Sequence, residues 1–247
     1  MEGGRNRKHI LCYGDSNTWG FQPGFGGRYP RQRRWTGVAE GLLGDGYVLL
    51  ENGLNGRTTD FDDPELPYRN GRKGFAYAMV SQKPIDLLIL MLGTNDLKFT
   101  TAEGSRDGLA SILEEALHPE IHFPSGSSPV YTGKPRVLLL SPIRMRPGTV
   151  FDRPCGGPKD SAAESERFAP LFRALAEAQG VDFLDAAEFA GPSAVGREKM
   201  RGHPPAAGQT PPERRQGEAL RRSVFSPRRL HPSRRSSAVR RRNIARG

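Results

Sequence analysis

Three short stretches hold the residues that could do chemistry together: Gly14-Asp15-Ser16, Gly53-Leu54-Asn55-Gly56-Arg57-Thr58-Thr59 and Gly93-Thr94-Asn95-Asp96. Each follows an apolar run and supplies a different group. A serine hydroxyl becomes a nucleophile when a base removes its proton. The oxyanion of a tetrahedral intermediate needs donors already aimed at it. A glycine N–H approaches closely because no Cβ blocks it, and an asparagine amide adds uncharged donors. The Ser16 N–H, the Gly56 N–H and the Asn95 amide would therefore make a three-donor oxyanion hole beside the Ser16 hydroxyl. Taken singly, each residue also suits a plainer role. Ser16 could cap a helix, Gly56 could serve a turn, and Asn95 or Asp96 could be an N-cap. The series of three, in this order, favours the chemistry.

Those turns need elements that bring them together. Residues 9–13 (HILCY), 47–52 (YVLLEN), 86–93 (DLLILMLG), 136–142 (RVLLLSP) and 181–187 (VDFLDAA) read as strands. The third is apolar throughout, as a strand covered on both faces should be. Residues 34–44, 72–82, 101–119 and 161–180 have helical spacing, and Pro170 is expected to kink the last of them. Strands alternating with helices predict an α/β fold with a mostly parallel five-stranded sheet and helices on both faces. The working groups of such sheets gather at the carboxyl ends of the strands, which is where the three turns fall.

The blocks YGDSNTWGF (13–21), RRWTGV (33–38), ENGLNGRTTDFDDP (51–64), MLGTNDLK (91–98) and RVLLLSP (136–142) give the chain a specific resemblance. It resembles the SGNH, or GDSL-type, hydrolases, and within them the arylesterase or acyltransferase-like branch. The resemblance covers residues 8–190 and implies a flavodoxin-like three-layer α/β/α sandwich that hydrolyses carboxylic esters through an acyl-enzyme. It implies Ser16 as the nucleophile, with Gly56 and Asn95 as oxyanion donors. Trp19 beside the serine would line the acyl or alcohol pocket, or serve as an aromatic core residue. Neither a metal nor an organic cofactor is implied.

The family's closing block, an Asp-x-x-His pair after the fifth strand followed by a helix, is missing. The last aspartate of the chain is Asp185, and His203 has Met200 three residues before it. His9, His118 and His122 are expected at or near the opposite edge of the sheet, and His231 lies deep in an Arg-rich tail. The general base is therefore unassigned, unless the tail folds back and His203 stands in. Activity is expected to be impaired, and a sheet without its closing helix is expected to expose apolar surface.

The charge balance marks the same region. Residues 1–195 carry 22 Lys/Arg and 24 Asp/Glu, whereas residues 196–247 carry 15 Lys/Arg and 3 Asp/Glu. The first segment is read as the hydrolase-like domain. The second is read as a basic tail too poor in apolar residues to order itself. Arg, Pro, Ala and Gly are also what GC-rich codons give when read out of frame. A one-base forward shift over residues 202–213 permits Gly-Ile-His-Leu-Arg-Pro-Asp-Lys-His-Arg-Leu, which resembles the closing block, so a frameshift is one origin of the tail. The other is a natural Arg-rich segment that binds nucleic acid or another polyanion, making the protein a non-catalytic binder.

Composition narrows the remaining classes. Two cysteines, Cys12 and Cys155, suggest neither a disulfide framework nor a zinc site, and Cys12 is expected to be a buried thiol. The polar, basic start (MEGGRNRKH) does not read as a signal peptide, and the longest apolar run, 85–93, is short of the roughly 20 residues that span a bilayer. A soluble cytoplasmic protein with a small ester as substrate and no membrane partner is expected. The oligomeric state is not legible.

Overall fold

Five strands form one sheet in the order β2-β1-β3-β4-β5, every neighbouring pair parallel. They are β1 (Lys8–Gly14), β2 (Tyr47–Gly53), β3 (Leu87–Met91), β4 (Val137–Ser141) and β5 (Asp182–Asp185). The computed structural model describes residues 7–23, 26–124, 126, 128–149, 151 and 156–191. The basic tail, the domain boundary placed after residue 195, His203, His231 and Cys155 lie outside the described residues.

The helices are α1 (Ser16–Trp19), α2 (Trp35–Leu43), α3 (Gly71–Gln82), α4 (Ala102–Leu117), α5 (Pro119–His122), α6 (Ser161–Glu166) and α7 (Phe168–Gln179). The alternation of side chains along each strand sorts the core into two layers. Leu11, Tyr13, Leu88, Leu90 and Leu139 pack with Phe75 and Met79 of α3, Leu109 and Ile112 of α4, and Phe168 and Phe172 of α7. Ile10, Cys12, Leu49, Ile89, Leu138, Leu140 and Leu184 form the opposite layer with Trp35 and Ala39 of α2. Helices thus cover both faces, as the α/β expectation requires. No helix among the described residues is long and apolar enough to cross a membrane.

Two expectations are corrected. The helix expected over 161–180 breaks at Arg167 rather than kinking at Pro170. Pro170 instead sits in the first turn of α7, where its missing N–H costs no intrahelical bond. The exposed apolar sheet surface is not found among the described residues. Leu138, Leu140 and Leu184 are only 2%, 3% and 8% exposed, because they belong to the second core layer. Cys12 is buried as expected, and burial, reinforced by Glu51, pushes its thiol well above the usual range.

The register of the sheet positions the site. Gly14 pairs with Gly53 on one side and with Met91 on the other. One row across the sheet therefore ends three strands, and each of the three turns leaves from it. The order 2-1-3-4-5 also reverses direction between β1 and β3, which opens a crevice at their carboxyl ends.

Candidate active site

Ser16 is the first residue of α1, and its local setting follows from its neighbours. Gly14 is needed because a Cβ there would lie 2.1 Å from Thr18 Oγ1. Asp15 is the N-cap, its Oδ1 accepting from the Asn17 N–H at 2.9 Å. Capping thus falls to Asp15. Ser16 is half-buried, and its hydroxyl is engaged by no hydrogen bond among the described residues.

The second turn folds back onto the first. Leu54 N–H donates to Gly14 O at 3.1 Å. Gly56 has φ +79°, a left-handed conformation that favours glycine. Its N–H, like that of Ser16, donates to no acceptor among the described residues. Asn95 lies in the 3-10 helix Thr94–Lys98, which has no side-chain cap, so neither Asn95 nor Asp96 acts as the N-cap there. The Asn95 Nδ2 instead donates to Arg57 O at 3.1 Å, leaving its second amide hydrogen free of that bond. The structure thus links the Ser16, Gly56 and Asn95 turns through direct contacts.

Arg57 was not singled out by the sequence reasoning, although it stands inside the ENGLNGRTTDFDDP block. Its guanidinium donates to Gly14 O at 2.8 Å, Asn52 O at 2.5 Å and Asn52 Oδ1 at 3.0 Å, and stacks 4.0 Å over the Tyr13 ring. With its own carbonyl held by Asn95, this one residue joins the ends of β1 and β2 to the turn after β3. Tyr13 is fixed in turn by donating to Gly71 O at 2.6 Å.

Two buried carboxyls lie beneath the site. Asp96 accepts from the Thr59 N–H at 2.7 Å and from Thr59 Oγ1 at 2.8 Å. Burial, with a smaller push from Asp15, raises its pKa to about 7. Burial raises Asp15 to about 6 against the pull of its Asn17 bonds, and its Oδ2 has no hydrogen-bond partner among the described residues. The folded protein holds these protons at pH values where the unfolded chain, with an ordinary pKa of 3.8, has lost them. Their contribution is therefore fullest below about pH 4 and is lost as pH rises through 7, by about 2–4 kcal/mol at most for Asp96. Asp96→Asn is expected to flatten that slope in denaturant melts between pH 4 and 7. An unchanged slope would contradict the assignment.

Trp19 lies between two partners at the rim. The Arg28 guanidinium stacks 5.1 Å from its ring centre, and the Phe21 ring is 6.5 Å away. Arg28 also bonds Trp19 O at 2.6 Å and reaches Glu51, which Arg31 and Arg34 hold as well. The ring is half-buried and belongs to neither core layer. His9 is near the start of β1, His118 caps the short α5 and lies near Glu120, and His122 ends that helix and lies near Glu114. All three are at the far end of the sheet from Ser16. No cluster of three or more His, Cys, Asp or Glu that could hold a metal occurs among the described residues.

A parallel 2-1-3-4-5 sheet with an open serine at its switch point defines the class: a flavodoxin-like α/β hydrolase. The chain belongs to the GDSL-like lipase/acylhydrolase family, whose profile matches residues 12–211, and is a serine-type carboxylic ester hydrolase by that membership. Solved structures agree. A carbohydrate acetylesterase from Sinorhizobium meliloti is 29% identical, with a TM-score of 0.71 over 89% of this chain and 99% of that one. The aryl esterase of Mycobacterium smegmatis is 28% identical, with a TM-score of 0.72 over 88% and 98%. A protein from Agrobacterium tumefaciens assigned to the arylesterases is 32% identical, with a TM-score of 0.68 over 88% and 98%. No curated protein matches the chain.

Proposed function

We propose that Ser16 attacks the carbonyl carbon of a short-chain carboxylic ester of an aryl or carbohydrate alcohol, that the ester C–O bond breaks and the alcohol leaves with a proton, and that water then cleaves the acyl-enzyme to the carboxylic acid and free Ser16. The Ser16 N–H, the Gly56 N–H and the Asn95 amide hold the oxyanion. Each such donor contributes about 10²–10³ in turnover. Trp19 and the arginines beside it flank the alcohol or acyl pocket. The aryl and carbohydrate classes come from what the similar esterases act on. The observation that carries the site is the shared row Gly53–Gly14–Met91 with the Asn95–Arg57 bond above it.

None of His9, His118 and His122 can take the serine's proton from the far end of the sheet, so without a base from the tail turnover of this chain is impaired. The test is hydrolysis of 4-nitrophenyl acetate by the full chain and by Ser16→Ala. All turnover above the buffer rate is expected to vanish in the variant. A rate that survives the substitution would refute the assignment of Ser16.

A further inference from the structure

Arg69 is a cation beside the site with neither an ion pair nor a side-chain hydrogen bond among the described residues. Its Nε is buried without a hydrogen-bond partner, and no ion pair reaches its guanidinium. It packs directly on the candidate oxyanion turn: its Nε and Cδ lie 3.6 and 3.7 Å from where a Cβ on Gly56 would stand. Three acids of the preceding loop are turned elsewhere. Asp60 bonds Arg72 and Asn70, Asp62 bonds Lys73 and Asn70, and Asp63 Oδ1 accepts from the Glu65 and Leu66 N–H groups. Arg57, the neighbouring cation, is committed to Gly14 and Asn52, and the two like charges repel each other.

The backbone that carries Arg69 is fixed in advance. Thr58 N–H donates to Arg69 O at 3.0 Å, and the Thr58 hydroxyl donates to Phe61 O of the same loop at 2.6 Å. The preceding Tyr68 has φ +68°, the only positive value at a non-glycine among the described residues, with its ring 91% exposed. A side chain held in that region is strained, and such strain gathers at ligand-binding loops. An unpaired guanidinium beside another cation, on a strained and anchored loop, is a poor way to stabilise a fold. It is a ready way to receive an anion.

We propose that Arg69 is a specificity-determining residue that binds a carboxylate carried by the ester close to its scissile carbonyl. This rests on reading Gly56 as an oxyanion donor. A carboxylate suits the site because the planar guanidinium fork matches its two oxygens. A doubly charged phosphate would call for a second cation, and Arg57 is already engaged.

The test compares binding of monoethyl succinate and its neutral counterpart ethyl pentanoate to the full chain carrying Ser16→Ala, by ligand-observed NMR titration. The acidic ester is expected to bind about tenfold more tightly or better at low salt, a preference weakened by added salt. Arg69→Gln added to that chain should erase the preference, and Arg69→Lys should keep part of it, since lysine retains the charge without the fork. Should Arg69→Gln fail to melt cooperatively, Arg69→Lys carries the comparison, a partial loss of preference being the expected result. Equal binding of the two esters, binding of neither, or a preference that survives both substitutions overturns the proposal. No turnover is needed, so this result and the Ser16-dependent hydrolysis of a neutral ester succeed or fail separately.

Discussion

Joining residues 1–191 to the closing segment of an esterase that carries Asp-x-x-His is expected to raise turnover of 4-nitrophenyl acetate about 10⁴–10⁶-fold over the chain as it stands. The reason is the division of labour at the site. The donors that would hold an oxyanion, Ser16 N–H, Gly56 N–H and Asn95 Nδ2, are set by the sheet and by Arg57 and need nothing from the tail. What the described residues lack at that edge is a group to take the hydroxyl proton, since His9, His118 and His122 sit at the other end. Without a base, a serine site keeps only what its oxyanion hole and binding supply. The gain should be abolished by Ser16→Ala in the chimera. In the original chain, His203→Ala should leave the residual rate unaltered. A fall on that substitution would show that the tail supplies the base after all, and a folded chimera with no Ser16-dependent gain would reject the account.

Gly53→Ala should be the most damaging single methyl in the molecule's working half. A Cβ at Gly53 would lie 2.1 Å from the Trp19 backbone nitrogen, 2.6 Å from its Cα and 2.7 Å from the Thr18 carbonyl carbon. These are main-chain atoms of α1, which cannot turn aside as a side chain could. The end of β2 and the helix that begins with Ser16 must separate. We expect a loss of about 2–4 kcal/mol, read as a melting temperature lower by roughly 5–15 °C. In a chain given a working base, the displaced serine should cost about 10²-fold in turnover as well. Gly41→Ala is the matched control. It lies inside α2 with nothing within 4 Å of the added Cβ, so it should stabilise by about 0.5–1 kcal/mol. Similar melting temperatures for the two variants would show that the close approach at Gly53 is not real.

The strands were legible because burial on both faces leaves an uninterrupted apolar run, as in LLILM of β3. The turns were legible because Gly, Asn and Asp punctuate those runs. Two things were not. Helix breaks depend on where a proline falls within a turn, so 161–180 looked continuous although it divides at Arg167. Long-range hydrogen bonds leave no local pattern. Arg57 to Gly14, Asn95 to Arg57 and Thr59 to Asp96 span 43, 38 and 37 residues, and none of these pairings follows from the spacing of residue types. Arg69 could not be distinguished from the other arginines until Asp60, Asp62 and Asp63 were seen to face other partners. His9, His118 and His122 fall at the far end as expected, because strand and helix directions in a parallel sheet follow from the alternation of the two.

One consequence of the strand order concerns synthesis. Of the five strands β1 is made first, yet it ends up between β2 and β3. One of its flanks stays bare until residues 87–91 have been made, and the third turn of the site follows only then. Throughout that interval the nascent chain carries an unsatisfied central strand rich in apolar residues, the kind of edge that recruits other chains. Ribosome pausing before residue 95 is therefore the point at which chaperone demand should peak.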